Sequence, residues 1–204
     1  GGRHIEIANC TINRVGPLND SISSIDGKVG VGISNGRYIT IRGNDITQVA
    51  VGIGAASHDL AIIGNRIQHI AHDGIRALGG DNWLIEGNWI HDVDDGFDDP
   101  ANYPPEVRWT WGRHADGIHI WTLIDATRNL TVRGNIIYHV ECMGVMVNAS
   151  TLTGKEYSNW VFENNVFGPT GGEETIHGGA AVRDRFIFRH NTFVYAPEDR
   201  WTGR

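Results

Sequence analysis

Side chains that can exchange protons with a substrate concentrate in the segment His114-Ala-Asp-Gly-Ile-His-Ile-Trp121. Imidazole titrates near neutral pH, so His119 is the first candidate for a general acid or base. His114 and Asp116 flank it and are candidates for the same catalytic work. The alternative interpretation of His119 is a solvent-exposed surface histidine, because the chain contains 10 histidines.

Asp116 has a structural interpretation beside the catalytic one. Asp73 and Asp95 also stand directly before a glycine. An Asp that recurs before Gly is typical of a turn in which the carboxylate accepts hydrogen bonds from its own nearby backbone. Both interpretations of Asp116 therefore stay open.

A cluster of carboxylates lies upstream of this segment. Its members are Asp94, Asp95, Asp98 and Asp99. Crowded carboxylates repel one another, and Ca²⁺ binds several oxygen ligands with flexible geometry, so the cluster is a candidate Ca²⁺ site. The spacing does not match an EF-hand, and the alternative is a solvated acidic loop.

Flat side chains follow the acidic cluster. Tyr103, Trp109 and Trp111 come after it, and Trp121 ends the proton-exchanging segment. Exposed aromatic faces suit sugar rings, and Arg113 can bind an anionic group, so these five residues are candidates for substrate binding. The alternative is that the rings pack the loop against the body of the protein, because Trp usually buries most of its area.

A repeated line of sequence must position these residues. It reads apolar, any, apolar, any, any, Asn, any, apolar, and self-similarity at a step of roughly 20–30 residues indicates a solenoid. The leading apolar residues share one face of a strand. Asn suits the following bend because it tolerates the left-handed conformation, and stacked Asn side chains can form a ladder. The Asn position holds Asn44, Asn65, Asn88, Asn135, Asn165 and Asn191, with Cys10 as an expected buried substitute in an earlier copy.

A second signature, Gly followed by an apolar residue, recurs after the Asn positions and predicts another strand in each coil. In the strand after Gly117, Ile118 and Ile120 share the core face, so His119 and Trp121 point outward. Stacking of the coils predicts that Arg76 is a neighbour of His119 in an outer column. The predicted column is Ser34, Gly54, Arg76, His119 and Met146.

The regular step is broken between Asn88 and Asn135, which are about two steps apart. The prolines between them, Pro100, Pro104 and Pro105, cannot serve an inner strand. We therefore predict one long loop inserted at about residues 94–113, with a degenerate extra coil as the alternative. Long loops without secondary structure are usually functional in compact domains.

The Asn repeats and the Gly–Ile strands together resemble the right-handed parallel β-helix of the pectate-lyase-like superfamily. The resemblance implies an all-β fold, a single-stranded right-handed parallel β-helix of about seven coils with an Asn ladder. It also implies that the strand of His119 and its loops form a sugar-binding cleft, and that the protein is secreted or periplasmic. The scaffold hosts lyases, hydrolases, epimerases and phage tailspikes, so it specifies the fold better than the function.

The lead function is a polysaccharide lyase that cleaves a uronate-containing glycan by β-elimination. This reaction needs a cation or Arg on the sugar carboxylate and a positioned base. Arg76 and Arg113 are candidates for the first role, and His119 or His114 for the second.

Two alternatives stay open. An inverting glycoside hydrolase of the polygalacturonase-like type needs two carboxyl groups, which Asp116 with Asp94 or Asp95 can supply. A non-catalytic carbohydrate-binding or tailspike-like β-helix predicts binding without turnover.

The composition of the chain argues against some classes of binding partner. A net charge of −7 argues against nucleic acid, and no apolar run is long enough for a membrane span. The 204 residues suit one domain over 1–204. Because the chain opens inside a repeat without an evident cap, we expect flanking sequence or a partner, and either a monomer or an oligomer formed through the solenoid ends.

Overall fold

The computed structural model describes residues 3–13, 29–93, 115–121, 126–148, 157–170, 176–177 and 184–194. Every paired strand in these ranges is parallel to its neighbours. The strands are β1 Arg3–Ala8, β2 Thr11–Asn13, β3 Val29–Arg42, β4 Asp45–Ile63, β5 Arg66–Glu86, β6 Trp89–Val93, β7 Ile118–Trp121, β8 Thr127–Arg133, β9 Ile136–Val140, β10 Val145–Asn148, β11 Ser158–Glu163, β12 Val166–Phe167, β13 Ile176–His177, β14 Phe186–Arg189 and β15 Thr192–Phe193.

The coils stack so that their strands form three faces of a solenoid. Face 1 contains β1, β8, β11 and β14 with the last residues of β3, β4 and β5. Face 2 contains β2, β6, β9, β12 and β15 with the first residues of β4 and β5. Face 3 contains β7, β10 and β13 with the middle of β4 and β5 and the first half of β3. In the described part of the chain, no helix is long and apolar enough to cross a membrane.

Inward-pointing aliphatic residues fill the solenoid. Each coil contributes the alternate residues of its strands, as Ile62, Ile67 and Ile75 do, all with 0 % exposure. Larger rings, including Trp160 and Phe162, fill the later coils. This continuous apolar interior is what fixes which residues of each strand face outward.

A ladder of buried amides joins the coils at the bend between faces 1 and 2. The Oδ1 atom of Asn88 accepts hydrogen bonds from the backbone N–H of Asn65 (2.9 Å) and from its Nδ2 (3.0 Å). Its own Nδ2 donates to Asn135 Oδ1 and to the carbonyl of Ile62. The same bonds run through Asn44, Asn65, Asn135, Asn165 and Asn191. The prediction of an all-β parallel solenoid with an Asn ladder is confirmed.

The left-handed residue of this bend is the one before the ladder Asn, which corrects our expectation. Gly64 and Gly87 have φ values of 59° and 63°, whereas the ladder Asn residues do not have positive φ. The amide side chain is therefore selected for its hydrogen bonds, and the preceding residue turns the chain. Cys10 donates its backbone N–H to Asn44 Oδ1, but its side chain is exposed, because this coil lies at the end of the described stack.

The coils of Asn88 and Asn135 are direct neighbours. β6 pairs with β9, and Asn88 donates to Asn135 Oδ1. No further coil separates them at this bend. The residues of the expected insertion, about 94–113, lie outside the described ranges.

Candidate functional site

Arg76 on β5 and His119 on β7 are partners in adjacent parallel strands, as the repeat predicted. Their neighbours Ile75 and Ile118 point into the core, which directs both polar side chains outward from face 3. Gly117 permits the close stacking at the start of β7. A Cβ atom there would lie 2.6 Å from Ile137 Cγ2 and 2.7 Å from the carbonyl oxygen of Gly144.

The outer column differs from the predicted one at its first member. Gly32, not Ser34, is the partner of Gly54, and Ser34 pairs with Ala56. The sequence Val29-Gly-Val-Gly offered two glycines for the repeat position, and Gly30 is the one that stacks on Gly52. At the other end, Met146 pairs with both His119 and His177, so the backbone of His177 continues this column.

Asp73 is the centre of the polar cluster. It is fully buried, and its Oδ2 accepts a hydrogen bond from Arg76 Nε at 2.6 Å. The same oxygen lies 3.3 Å from His119 Nδ1. Its Oδ1 accepts the backbone N–H of Asp116 at 3.2 Å and lies 3.0 Å from His72 Nδ1. One carboxylate thus holds the guanidinium and the imidazole in fixed positions.

Asp116 repeats this arrangement one coil later. It is fully buried, and its Oδ1 accepts the backbone N–H of Met143 at 3.2 Å. Its Oδ2 lies 3.6 Å from His119 Nδ1. The Asp before Gly therefore bonds the backbone of the next coil. Its structural role is real, and its second oxygen still faces the candidate histidine.

The environment of the cluster shifts two pKa values. Burial raises the pKa of Asp73, but hydrogen bonds from His119 and His72, with the charges of His72 and Arg76, outweigh burial and hold that pKa well below its usual range. Burial raises the pKa of the nearby Cys142 thiol to about 12, and the charges of Asp116, Glu141 and Asp73 act in the same direction. Asp73 is a carboxylate at neutral pH and cannot serve as a proton donor.

Trp121 lies over the two outward side chains. Its ring stacks on His119 at 5.6 Å between centroids, and Arg76 Cζ lies 5.8 Å from the same ring. His119 has only 6 % exposure, so the interpretation as a solvent-exposed histidine is wrong. His119 Nε2 is itself buried.

Asp73, Asp116 and His119 form a group that can hold a metal ion, because one ligand atom from each lies within 4.8 Å of the others. An imidazole with two carboxylates suits a transition metal better than Ca²⁺, which prefers oxygen ligands. Asp73 already balances the charge of Arg76, so an ion at this place would compete with the guanidinium. The three ligand atoms are of types that bind metal ions, but the positive charge of Arg76 beside them opposes the binding of a cation.

The other predicted site residues lie outside the described ranges. They are His114, Arg113, Tyr103, Trp109, Trp111, Asp94, Asp95, Asp98 and Asp99. Sequence reasoning missed His72 and gave Asp73 only a turn role. A signal was present, because Asp73 precedes Arg76 by the same spacing that separates Asp116 from His119, in consecutive coils of face 3.

Comparisons with known proteins agree with this architecture. A family model described as a right handed beta helix region matches residues 1–197. No curated protein sequence matches the chain. Among solved structures, the Agl-KA catalytic domain aligns with a TM-score of 0.59 and 14 % identity, over 98 % of this chain and 34 % of that chain. The Streptococcus pneumoniae surface protein and adhesin PfbA aligns with a TM-score of 0.44 and 13 % identity, over 95 % of this chain and 64 % of that chain. This chain therefore spans about a third of the first of these proteins, and less than two thirds of the second.

Proposed function

This chain belongs to the right-handed β-helix family, and from that premise we propose that its buried polar cluster is the acid–base centre of an enzyme that acts on polysaccharides. One observation carries the proposal. His119 and Arg76 stand side by side on an outer face, both held by the carboxylate of Asp73. A histidine fixed by a carboxylate, beside a guanidinium, is an arrangement that proton abstraction next to a sugar carboxylate requires.

The reaction that this arrangement supports best is β-elimination on a uronate-containing glycan. Asp73 and Asp116 only accept hydrogen bonds when ionised, so Nδ1 of His119 carries hydrogen and Nε2 is the atom that takes the substrate proton. The proton leaves the carbon beside the carboxylate, and its electron pair forms a carbon–carbon double bond. The bond to the glycosidic oxygen at the next carbon breaks, and that oxygen leaves with its electron pair.

Arg76 is the candidate for stabilising the sugar carboxylate. Its Nε bonds to Asp73, while the guanidinium has further N–H groups that can donate. Charge builds up on the substrate carboxylate during proton removal, and a fixed cation favours that state. Because His119 Nε2 is buried and Trp121 stacks on the ring, the substrate must displace Trp121 to reach the base.

A hydrolase built on the described carboxylates fits less well. An inverting glycosidase separates its two carboxyl groups by roughly 6.5–9.5 Å and needs one of them protonated. Asp73 and Asp116 place ligand atoms within 4.8 Å of each other, and the pKa of Asp73 lies well below its usual range. The other hydrolase pairs, Asp116 with Asp94 or Asp95, involve residues outside the described ranges.

The expectation of Ca²⁺ is kept as part of the proposal. It rests on the oxygen-rich cluster of Asp94, Asp95, Asp98 and Asp99, which suits this ion better than the cluster around His119. A polysaccharide substrate also favours a secreted or periplasmic location. A chelator should lower the rate of product formation from the polysaccharide, and added Ca²⁺ should restore that rate.

The test is a product assay over a panel of uronic and neutral polysaccharides. Elimination yields unsaturated ends that absorb in the ultraviolet, whereas hydrolysis yields reducing sugar alone. His119→Ala should lower turnover by about 100- to 10,000-fold. His58→Ala is the matched control, because His58 also contacts an aspartate, Asp81, but lies away from the cluster.

Three outcomes contradict the proposal. Full activity of a folded His119→Ala protein removes the histidine from the reaction. If the products are reducing sugars that do not absorb in the ultraviolet, the enzyme is a hydrolase and not a lyase. Binding of polysaccharides without any product shows a non-catalytic β-helix.

A further inference from the structure

Face 2 carries a second group of outward side chains, away from the cluster on face 3. Arg66, Trp89 and Ile136 are register partners on β5, β6 and β9. Trp89 is 40 % exposed and Ile136 is 46 % exposed. Arg66 Cζ lies 4.9 Å from the Trp89 ring, a cation–π contact. Trp89 and Ile136 give face 2 an exposed apolar surface, and the Arg66 guanidinium lies over one side of the Trp89 ring.

A second row of rings lies beside the first. His91 stacks on Tyr138 with centroids 5.1 Å apart and an interplanar angle of 5°. Its ring is also 4.7 Å from that of Trp89. The Trp89 and Tyr138 rings also contact each other, with centroids 6.5 Å apart, and His91 beside both is only 5 % exposed.

One nitrogen of His91 has no hydrogen-bond partner among the described residues. Its Nδ1 lies 2.7 Å from Asp92 Oδ2, while the other oxygen of Asp92 is 3.2 Å from His139 Nδ1. A carboxylate accepts, so Nδ1 of His91 donates, and Nε2 of the neutral ring is an acceptor. Nε2 is buried and has no hydrogen-bond partner within the described part of the chain. A buried polar atom without a partner is unusual and calls for an occupant that supplies one.

We propose that Arg66, Trp89, His91, Ile136 and Tyr138 form a glycan-binding platform on face 2. The apolar face of a pyranose ring packs on Trp89 and Ile136, while Arg66 donates to ring substituents. A small shift of the Trp89 ring, which stays in contact with the sugar, opens the buried His91 Nε2 to a sugar hydroxyl that donates to it. The pattern of one flat apolar surface with donors and acceptors at its edges matches a sugar ring, which has an apolar face and a polar rim.

The size of the surface excludes the larger kinds of occupant. A stable protein interface needs about 800 Å² on each partner, with a broad apolar centre. Here the two exposed apolar side chains, with the partly exposed Val166 next in register, are flanked by Arg66, Gln68 and the Asp92–His139 pair. The choice of a polysaccharide rests on the proposed function. One long polymer can occupy face 2 and face 3 at once, which increases retention on the substrate.

The experiment is affinity electrophoresis in native gels that contain xylan, dextran or polygalacturonate. All proteins carry His119→Ala, so that the polymer is not degraded. The parent should be retarded by at least one polymer, and adding Trp89→Ala should raise the apparent dissociation constant about tenfold. Tyr38→Ala is the matched control, because Tyr38 is an exposed aromatic ring at a different bend, where it stacks on His4. It should be retarded like the parent.

The platform is overturned if no polymer retards the parent, or if the Trp89→Ala protein is retarded equally. It is also overturned if Tyr38→Ala weakens retardation as much as Trp89→Ala does. Thermal unfolding checks each variant, and Arg66→Ala replaces Trp89→Ala if that protein is unfolded. Retardation by a polymer supports the platform even if the unaltered protein yields no product from any polysaccharide of the panel, and that absence of product contradicts the catalytic proposal alone.

Discussion

Two columns of side chains run along the stacked coils, and they differ in whether the residue type repeats from coil to coil. The ladder column repeats one residue, Asn, from Asn44 to Asn191. The outer column on face 3 reads Gly32, Gly54, Arg76, His119, Met146 and His177, and its residue type changes at each step after Gly54. In the ladder each amide is satisfied by an identical neighbour, so the bonding pattern propagates without limit. In the outer column each polar group needs a different partner, and such a cluster is built once.

The comparison teaches where chemistry is possible in a solenoid. A residue that recurs in each coil is explained by stacking, because its neighbours supply what it needs. Arg76 and His119 differ from their register neighbours Gly54 and Met146, and they meet the carboxylates of the residues before Gly74 and Gly117. Variation within a column is therefore a better indicator of a site than repetition.

The largest effect that tests this contrast is expected from Asn88→Ala. The substitution leaves the backbone N–H and Nδ2 of Asn65 without their acceptor, and the Ile62 carbonyl without its donor. Several buried groups at about 1–3 kcal/mol each predict a loss of about 4–6 kcal/mol in the free energy of unfolding. Urea denaturation followed by circular dichroism measures it. A loss below about 1 kcal/mol would mean that the ladder is not what holds the coils together.

A smaller but still large effect is expected from Asp73→Asn. The change leaves Arg76 as a buried cation without its carboxylate, which predicts a loss of about 3–5 kcal/mol at neutral pH. His119 also loses the negative charge of its partner, so activity should fall together with stability. If Asp73→Asn is less stable but its folded fraction keeps full activity, Asp73 has no role in the reaction.

The same variant sharpens the contrast through pH. The pKa of Asp73 is lower in the folded than in the unfolded protein, so the folded state favours the carboxylate. This contribution is complete above the unfolded-state pKa of about 4 and is lost as the pH falls below it. The unaltered protein should therefore lose stability below about pH 4 more steeply than Asp73→Asn does. If the free energy of unfolding falls equally steeply below about pH 4 in the two proteins, groups other than Asp73 cause the loss of stability in acid.

Much of the fold was visible in the sequence because stacking forces repetition. The Asn positions, the core alternation and the pairing of Arg76 with His119 all follow from the repeat. The burial of His119 was not visible, because alternation gives the direction of a side chain and not what covers it. Asp73 was read as a turn former, since a carboxylate before Gly has the same sequence pattern whether it bonds its own turn or the next coil.

A third column was missed although it also repeats. At the bend before face 1, Asn82 donates to Asp59, Asn129 donates to Asn82, and Asn159 donates to Asn129. Each of these residues stands directly before the first inward-pointing apolar residue of face 1 and has a positive φ of 53–60°. The strong inner Asn pattern obscured it. This outer ladder repeats the side chain-to-side chain hydrogen bond of the inner one without its burial.

Removing an amide of the outer ladder should cause the smallest loss of stability. This change tests whether repetition or burial makes an Asn ladder stabilising. Asn82 belongs to the same coil as Asn88, but it is exposed and has a φ of 60°. Asn82→Gly removes the amide bonds to Asp59 and Asn129 while keeping a residue that adopts this conformation without strain. Water can replace the lost partners, so the free energy of unfolding should change by less than about 1 kcal/mol. The measurement is the same urea denaturation as for Asn88→Ala. A loss equal to that of Asn88→Ala would show that repetition alone stabilises the stack, and burial would no longer distinguish the two ladders.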